Sequence, residues 1–144
     1  MKYKRVLKWI FLLFWMILIF SFSSQNGSTS SSVSNFFVSF FENHCFLAVD
    51  LVFLIRKGAH FFEYFILGVL VLFLIREYVL QEWRALLYSF CCCLFYAISD
   101  EIHQLFVVGR SGRVMDVIID GCGALLGILI FSFLLLLKKK SRKN

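Results

Sequence analysis

The chain has 144 residues, enough for one domain, and 60% of them are hydrophobic, with a mean hydropathy of +0.83. A water-soluble domain of this size cannot bury so much apolar surface, which excludes a soluble enzyme or binding module. Nine of the fifteen Lys and Arg residues behind the net charge of +6 lie near the two termini, beside apolar segments. This pattern indicates anchoring at a lipid surface and argues against nucleic acid as a partner.

Four apolar segments have the length that a bilayer requires of a helix. They lie at about residues 7–22, 59–75, 85–106 and 114–137. The sequence therefore predicts an all-α fold, an integral membrane four-helix bundle that forms one domain over residues 1–144. The first segment follows basic residues and ends in a serine-rich stretch, as a signal peptide does, so its removal by cleavage stays an alternative.

Residues 36–55 form a further apolar stretch, which polar residues interrupt at Glu42, Asn43, His44 and Asp50. One charge at the centre of a bilayer costs at least about 2.5 kcal/mol on insertion scales. We therefore expect this segment to be an interfacial helix in the first outer loop, and not a fifth span.

The two basic tails predict the orientation. Cytoplasmic segments are rich in Lys and Arg, so both termini should be cytoplasmic in a multi-pass protein of the cell membrane. Two termini on one side require an even number of spans, which four satisfies. The loops at 23–58 and 107–113 then lie outside. Four basic residues fall on that side against the rule and suggest a functional role: Arg56, Lys57, Arg110 and Arg113.

Helix geometry predicts that the ionisable residues of three segments share one depth. At a rise of 1.5 Å per residue, His60 and Asp100 each lie about 22 Å from the cytoplasmic end of their segment, and Asp120 about 26 Å. Helical spacing also groups the polar residues into stripes. The stripes are Lys57–His60–Tyr64 with Glu63 alongside, Tyr96–Asp100–His103, and Asp116–Asp120–Gly123–Gly127. We expect the stripes to face one another, with the glycines allowing close helix packing, and to enclose a polar pocket open to the outside.

Ionisable groups at membrane depth usually serve a function, so these stripes supply the candidate site. The catalytic candidates are His60, Glu63, Asp100, Glu101 and His103. The substrate-binding candidates are Lys57, Gln104, Arg110, Asp116 and Asp120.

Three chemistries fit this set. A divalent metal is one, because His60–Glu63 and Asp100–His103 are i, i+3 pairs that can converge on one ion; no H-E-x-x-H motif is present, and the identity of a metal stays open. Acid–base catalysis on a lipid-linked phosphate is the second, and binding of an anionic headgroup without reaction is the third. A buried salt-bridge network that only holds the helices together is the structural alternative.

Four blocks border the predicted spans in a specific order. They are Ser23-Ser24-Gln25; Lys57-Gly58-Ala59-His60-Phe61-Phe62-Glu63-Tyr64 with Leu67-Gly68; Ser99-Asp100-Glu101-Ile102-His103-Gln104-Leu105-Phe106 with Gly109-Arg110; and Asp116-Val117-x-x-Asp120-Gly121. At these residues, over most of 10–127, the chain resembles the VanZ-like family. It departs from the family at Val108, where Pro is often found, and this departure affects the expected shape of the outer loop.

The resemblance implies a small bacterial membrane protein of the cell envelope, and the namesake of the family is associated with low-level resistance to the lipoglycopeptide teicoplanin. It implies no particular reaction or cofactor. We therefore expect a protein that binds or modulates a lipid-linked envelope component, with a lipid-linked cell-wall precursor or a lipoglycopeptide as partner. The alternatives are a membrane-embedded hydrolase or transferase acting on a lipid-linked phosphate, and a purely structural subunit.

Overall fold

The computed structural model describes residues 2–25, 48–110 and 112–141, and no β-strand occurs among them. They form four helices: α1 (Lys2–Ser23), α2 (Ala48–Ile75), α3 (Glu82–Gln104) and α4 (Val114–Ser141). Each helix contains a segment long and apolar enough to cross a membrane: Tyr3–Ser23, Leu54–Ile75, Glu82–Gln104 and Val114–Ser141. The predicted all-α fold with four membrane helices is confirmed.

The helices extend beyond the apolar segments from which they were predicted. At the two termini, α1 begins at Lys2 and α4 continues through three lysines to Ser141. Long basic side chains reach into polar surroundings while the helix continues to satisfy its own backbone, so charge need not end a helix. The second span was predicted to start at residue 59, but α2 already begins at Ala48.

Because α2 begins at Ala48, it includes the last part of the segment at 36–55 that was predicted as an interfacial helix. Residues 48–55 belong to α2 and continue without a break into the second span. Residues 36–47 lie outside the described part of the chain. A separate interfacial helix is therefore not confirmed.

The helices alternate in direction. We call the end of the bundle where α1 and α3 finish and α2 and α4 begin the polar end, and the opposite end, which carries both termini, the basic end. At the polar end, the guanidinium of Arg110 donates to the carbonyl of Phe22, 2.9 Å away. At the basic end, Lys8 forms an ion pair with Glu77. It follows that α2 and α4 run in the same direction.

The contact between α2 and α4 is the most extensive in the bundle and is made by glycines. A Cβ atom at Gly123 would overlap the backbone carbonyl of Phe61, and one at Gly127 would overlap that of Phe65. From the other side, a Cβ at Gly68 would overlap the carbonyl of Ala124. Here the two backbones touch directly, as small residues at membrane helix interfaces permit.

The apolar core lies between this helix pair and the other two helices. The core residues with the least exposure come from all four helices: Ile19, Tyr64, Leu67, Leu72, Cys93, Ala97 and Ile128. Many large apolar side chains, especially on α1 and α4, point away from the protein. In a bilayer these side chains contact lipid, which explains why an exposed apolar surface is stable here.

Polar contacts at the basic end hold α1 to the turn between α2 and α3. Besides its pair with Lys8, Glu77 lies 3.4 Å from Nε of Arg5. The hydrogen bond and the charge of Lys8, and after them the hydrogen bond from Arg5, lower the pKa of Glu77. The indole of Trp9 donates to the hydroxyl of Tyr78, 3.1 Å away.

Gly123→Ala should destabilise the bundle by about 1–3 kcal/mol, because the added methyl group overpacks a backbone contact. Gly58→Ala is the matched control, since a Cβ at Gly58 would have no neighbour within 4 Å among the described residues. In a helix this change is neutral or slightly stabilising. Thermal unfolding of both purified variants in one detergent measures the difference, and equal stability of the two would contradict the described packing.

Candidate functional site

The polar end contains an unusual amount of buried polar surface. In the two helices that follow α2, five ionisable or amide side chains are nearly inaccessible: Asp120 is 0% exposed, Gln104 1%, Asp100 3%, Glu101 6% and Asp116 7%. Buried polar groups in a membrane helix are costly and therefore rarely incidental. We refer to these residues, together with Lys57, His60, Glu63 and Arg110, as the polar cluster.

The glycine contact sets the register that brings the cluster together. Because α2 and α4 are parallel and Gly123 packs on Phe61, His60 of α2 lies at the level of Asp120 of α4. Asp100 joins them from α3. One ligand atom from each of these three side chains lies within 4.8 Å of the other two.

One helical turn nearer to the polar end, an ion pair joins α2 to α4. Lys57 of α2 donates to Oδ1 of Asp116 of α4. The two side chains are only 13% and 10% exposed, respectively. The predicted substrate-binding residues Lys57 and Asp116 therefore bind each other, and this contact repeats the parallel register of His60 and Asp120.

The end of α3 is bound to the start of α4. The carboxylate of Glu101 accepts a hydrogen bond from the backbone N–H of Arg113, 2.8 Å from Oε2. The amide of Gln104 donates to Asp100, 3.3 Å away. These bonds orient two acids of α3, and the hydroxyl of Ser23 is a second neutral donor to Asp100. Oε1 of Glu101 is buried without a hydrogen-bond partner among the described residues.

The two histidines of the candidate site occupy different surroundings. His60 lies against Glu63, with 3.8 Å between Nδ1 and Oε2. His103 instead turns toward α1, where its ring stacks on Phe20 at 4.4 Å and Nε2 lies 3.0 Å from the hydroxyl of Ser24. The predicted pairing of Asp100 with His103 as joint ligands is not the arrangement found, since it is His60 that shares a ligand group with Asp100.

Arg110 secures the end of α1. Its Nε donates to the carbonyl of Gln25 and its Nη2 to that of Phe22, both at 2.9 Å. Carbonyls at a helix C-terminus have no partner within the helix, and a cation there is favourable. Burial, and then the nearby charge of Arg56, lower the pKa of Arg110. The third nitrogen, Nη1, is buried without a partner in the part of the chain that the structure describes.

Sequence reasoning missed how far α1 contributes to the site. Ser23 is fully buried beside Asp100. In the middle of α1, the indole of Trp15 donates to the carbonyl of Glu63 at 2.9 Å. The hydroxyl of Tyr96 on α3 donates to the carbonyl of Met16 at 2.7 Å. The polar Ser23-Ser24-Gln25 block was the available signal, but nothing in it indicates a neighbour on α3.

The polar cluster contains carboxylate oxygens that accept no hydrogen bond from the described residues. Several buried atoms in the cluster, and the hydroxyl of the neighbouring Tyr64, have no hydrogen-bond partner among the described residues; the atoms in the cluster include His60 Nδ1, Glu101 Oε1, Arg110 Nη1 and both oxygens of Asp120. Such atoms each cost about 1–3 kcal/mol unless something binds them. The arrangement is therefore suited to a ligand that offers both cationic or protic groups and anionic oxygens.

Removal of one member of the Lys57–Asp116 pair should strongly destabilise the folded protein. Lys57→Met leaves a buried carboxylate without its ion-pair partner and should cost about 3–5 kcal/mol, whereas Lys57→Met with Asp116→Leu should restore much of the stability. Thermal unfolding in detergent compares the two. A double variant no more stable than the single one would mean that the pair does not hold the helices.

Comparison with known proteins adds one finding. A model of the VanZ/LLP1 family matches residues 8–136, a range that includes the whole polar cluster. No curated protein and no solved structure matches the chain. With four helices that fit a bilayer and a family match over most of its length, the chain is a multi-pass membrane protein that belongs to the VanZ/LLP1 family.

Proposed function

We propose that this protein works in the bacterial cell envelope, with its polar end at the outer face of the cell membrane and both termini in the cytoplasm. There the polar cluster binds or modulates a lipid-linked envelope component, such as a cell-wall precursor on a phosphate-bearing lipid. Engagement of this component alters susceptibility to teicoplanin, the lipoglycopeptide associated with the namesake of the family.

One observation supports this proposal above the others: α2, α3 and α4 meet with several buried polar atoms that no described residue satisfies. A salt-bridge network that served only stability would pair its members, as Lys57 and Asp116 do. Unpaired donors and acceptors at one depth instead fit a polar ligand whose own groups complete the bonds.

Arg110 supports an anionic part of that ligand. Two of its nitrogens bind the carbonyls of Phe22 in α1 and of Gln25 just after it, while Nη1 lies buried without a partner among the described residues. A guanidinium prefers phosphate or carboxylate oxygens, which form charge-assisted hydrogen bonds. Phosphate is the group that a lipid-linked precursor presents at the membrane surface, where its hydrocarbon chain can lie against the exposed apolar faces of the helices.

A membrane-embedded hydrolase or transferase acting on a lipid-linked phosphate is the second candidate. The closeness of His60 and Glu63 favours it, since a neighbouring carboxylate orients an imidazole for proton transfer. Asp100 and Glu101 would then serve as further acid–base groups, with His103 acting from the α1 side.

The orientation is tested with two exposed loop positions. Val108, 79% exposed, lies at the polar end, and Leu80, 97% exposed, lies at the basic end. In a chain with its native cysteines replaced by serine, Val108→Cys should react with a membrane-impermeant maleimide on intact cells. Leu80→Cys should react only after permeabilisation. The reverse pattern would place the polar end in the cytoplasm and refute the proposed location.

Lipid recognition is tested by binding of undecaprenyl phosphate and of undecaprenol to the purified protein, measured by native mass spectrometry. The protein should prefer the phosphate. Arg110→Gln should weaken binding of the phosphate about 10- to 100-fold, the value of one or two charged hydrogen bonds, and leave the weak binding of the alcohol unchanged.

Two control variants separate recognition from general damage. Arg84→Gln removes a cation at the basic end, and Tyr96→Phe removes a bond to α1 without changing charge. Both should bind like the wild type, and in cells both should keep the wild-type effect on teicoplanin inhibition, which Arg110→Gln loses. Equal affinity for phosphate and alcohol would refute anion recognition, and a change in the mass of the bound lipid would indicate the enzyme.

A further inference from the structure

We propose that His60, Asp100 and Asp120 bind a divalent metal ion of the Mn²⁺ or Zn²⁺ type. Three helices supply one ligand each, and none of the three is a hydrogen-bond partner of Arg110 or a member of the Lys57–Asp116 ion pair. The inference goes beyond the proposed function and does not depend on it, because a metal is bound whether or not a lipid is.

The geometry fits a single ion. The three ligand atoms lie within 4.8 Å of one another. Two ligands of a tetrahedral ion lie about 3.3–3.6 Å apart when each bond is about 2.0–2.2 Å long. From a separation of 4.8 Å, each ligand atom would have to move inward by about 0.8 Å to reach this geometry, a movement that rotations about Asp and His side-chain bonds can supply.

Burial supplies independent support. Asp120 is 0% exposed, and neither of its carboxylate oxygens has a hydrogen-bond partner among the described residues. Asp100 is 3% exposed, and its carboxylate is bound by the neutral amide of Gln104 and the neutral hydroxyl of Ser23. A buried ionised carboxylate is too costly to persist alone, so it either takes up a proton or binds a cation. Two such carboxylates that meet beside an imidazole favour a cation that all three can share.

The donor set indicates which cations suit it. Carboxylate oxygens bind hard ions, while an imidazole nitrogen selects for transition metals. Two carboxylates and a neutral imidazole together balance a divalent charge. Three protein ligands leave coordination positions open, which is typical of metal sites that engage another molecule. Glu63, 3.8 Å from the ring of His60, is placed to orient this ligand from behind.

The site is tested with metal alone. Protein purified in detergent and stripped with EDTA is titrated with Mn²⁺, and the free ion is followed by electron paramagnetic resonance, with Zn²⁺ as competitor. The wild type should bind one ion per chain. Asp120→Asn and His60→Gln should each weaken binding by more than the roughly 10- to 100-fold that loss of a supporting residue usually costs.

Two matched variants define the specificity. His103→Gln changes a histidine outside the polar cluster, which contacts α1 and not the ligand group, and Glu82→Gln changes an exposed acid at the start of α3. Both should bind Mn²⁺ like the wild type. Binding lost in His103→Gln but kept in His60→Gln would overturn the proposed ligand set.

Absence of stoichiometric Mn²⁺ and Zn²⁺ binding by the wild type would also overturn the proposal, and would mean that protons neutralise the two acids. If Asp120→Asn does not insert into the membrane, Asp100→Asn provides the same test. Lipid binding by EDTA-treated protein is measured separately. A protein that binds undecaprenyl phosphate but no metal refutes the metal site alone, and one that binds metal but no lipid refutes only the proposed function.

Discussion

The direct backbone contact between α2 and α4 is the constraint on which the rest of the structure depends. Gly123 and Gly127 place α4 against the carbonyls of Phe61 and Phe65, and Gly68 completes the contact from α2. In lipid, apolar side chains gain little by leaving the solvent, so close packing supplies the association energy. Because the contact has no room for a Cβ, it also determines the register, and one turn toward the polar end that register sets His60 beside Asp120. Packing and site are consequences of the same glycines.

The first helix has a different role, because it packs mainly against α2, touches α3 in few places and is the least buried of the four spans. Polar bonds compensate for this small apolar contact. Lys8 and Trp9 attach it at the basic end, Trp15 and Met16 bond to neighbouring helices in the middle, and Arg110 holds its last carbonyls. In the membrane interior, each of these bonds satisfies a polar group for which lipid offers no hydrogen-bond partner. Arg110 therefore couples the position of α1 to the charge of the polar cluster.

The polar cluster contains two kinds of group: pairs that connect the helices, and acids without a hydrogen-bond partner among the described residues. The Lys57–Asp116 ion pair ties α2 to α4, and the bond from the N–H of Arg113 to Glu101 ties the end of α3 to the start of α4. Both oxygens of Asp120, between these contacts, have no donor among the described residues. This arrangement fits the proposed binding centre, since the surrounding pairs keep the inner groups in place without using their bonds.

The sequence by itself determined the four apolar helices, the matching depth of His60, Asp100 and Asp120, and the close packing expected of Gly123 and Gly127. These properties follow from helix rise, helical spacing and bilayer thickness, which are local or general. Only the tertiary structure decided that His60 and not His103 joins Asp100, that Lys57 pairs with Asp116, and that Arg110 binds the end of α1. The start of α2 at Ala48 was also not predictable from apolar length. Neighbours across helices depend on rotation and register, and these are set by packing between backbones that lie far apart in the chain.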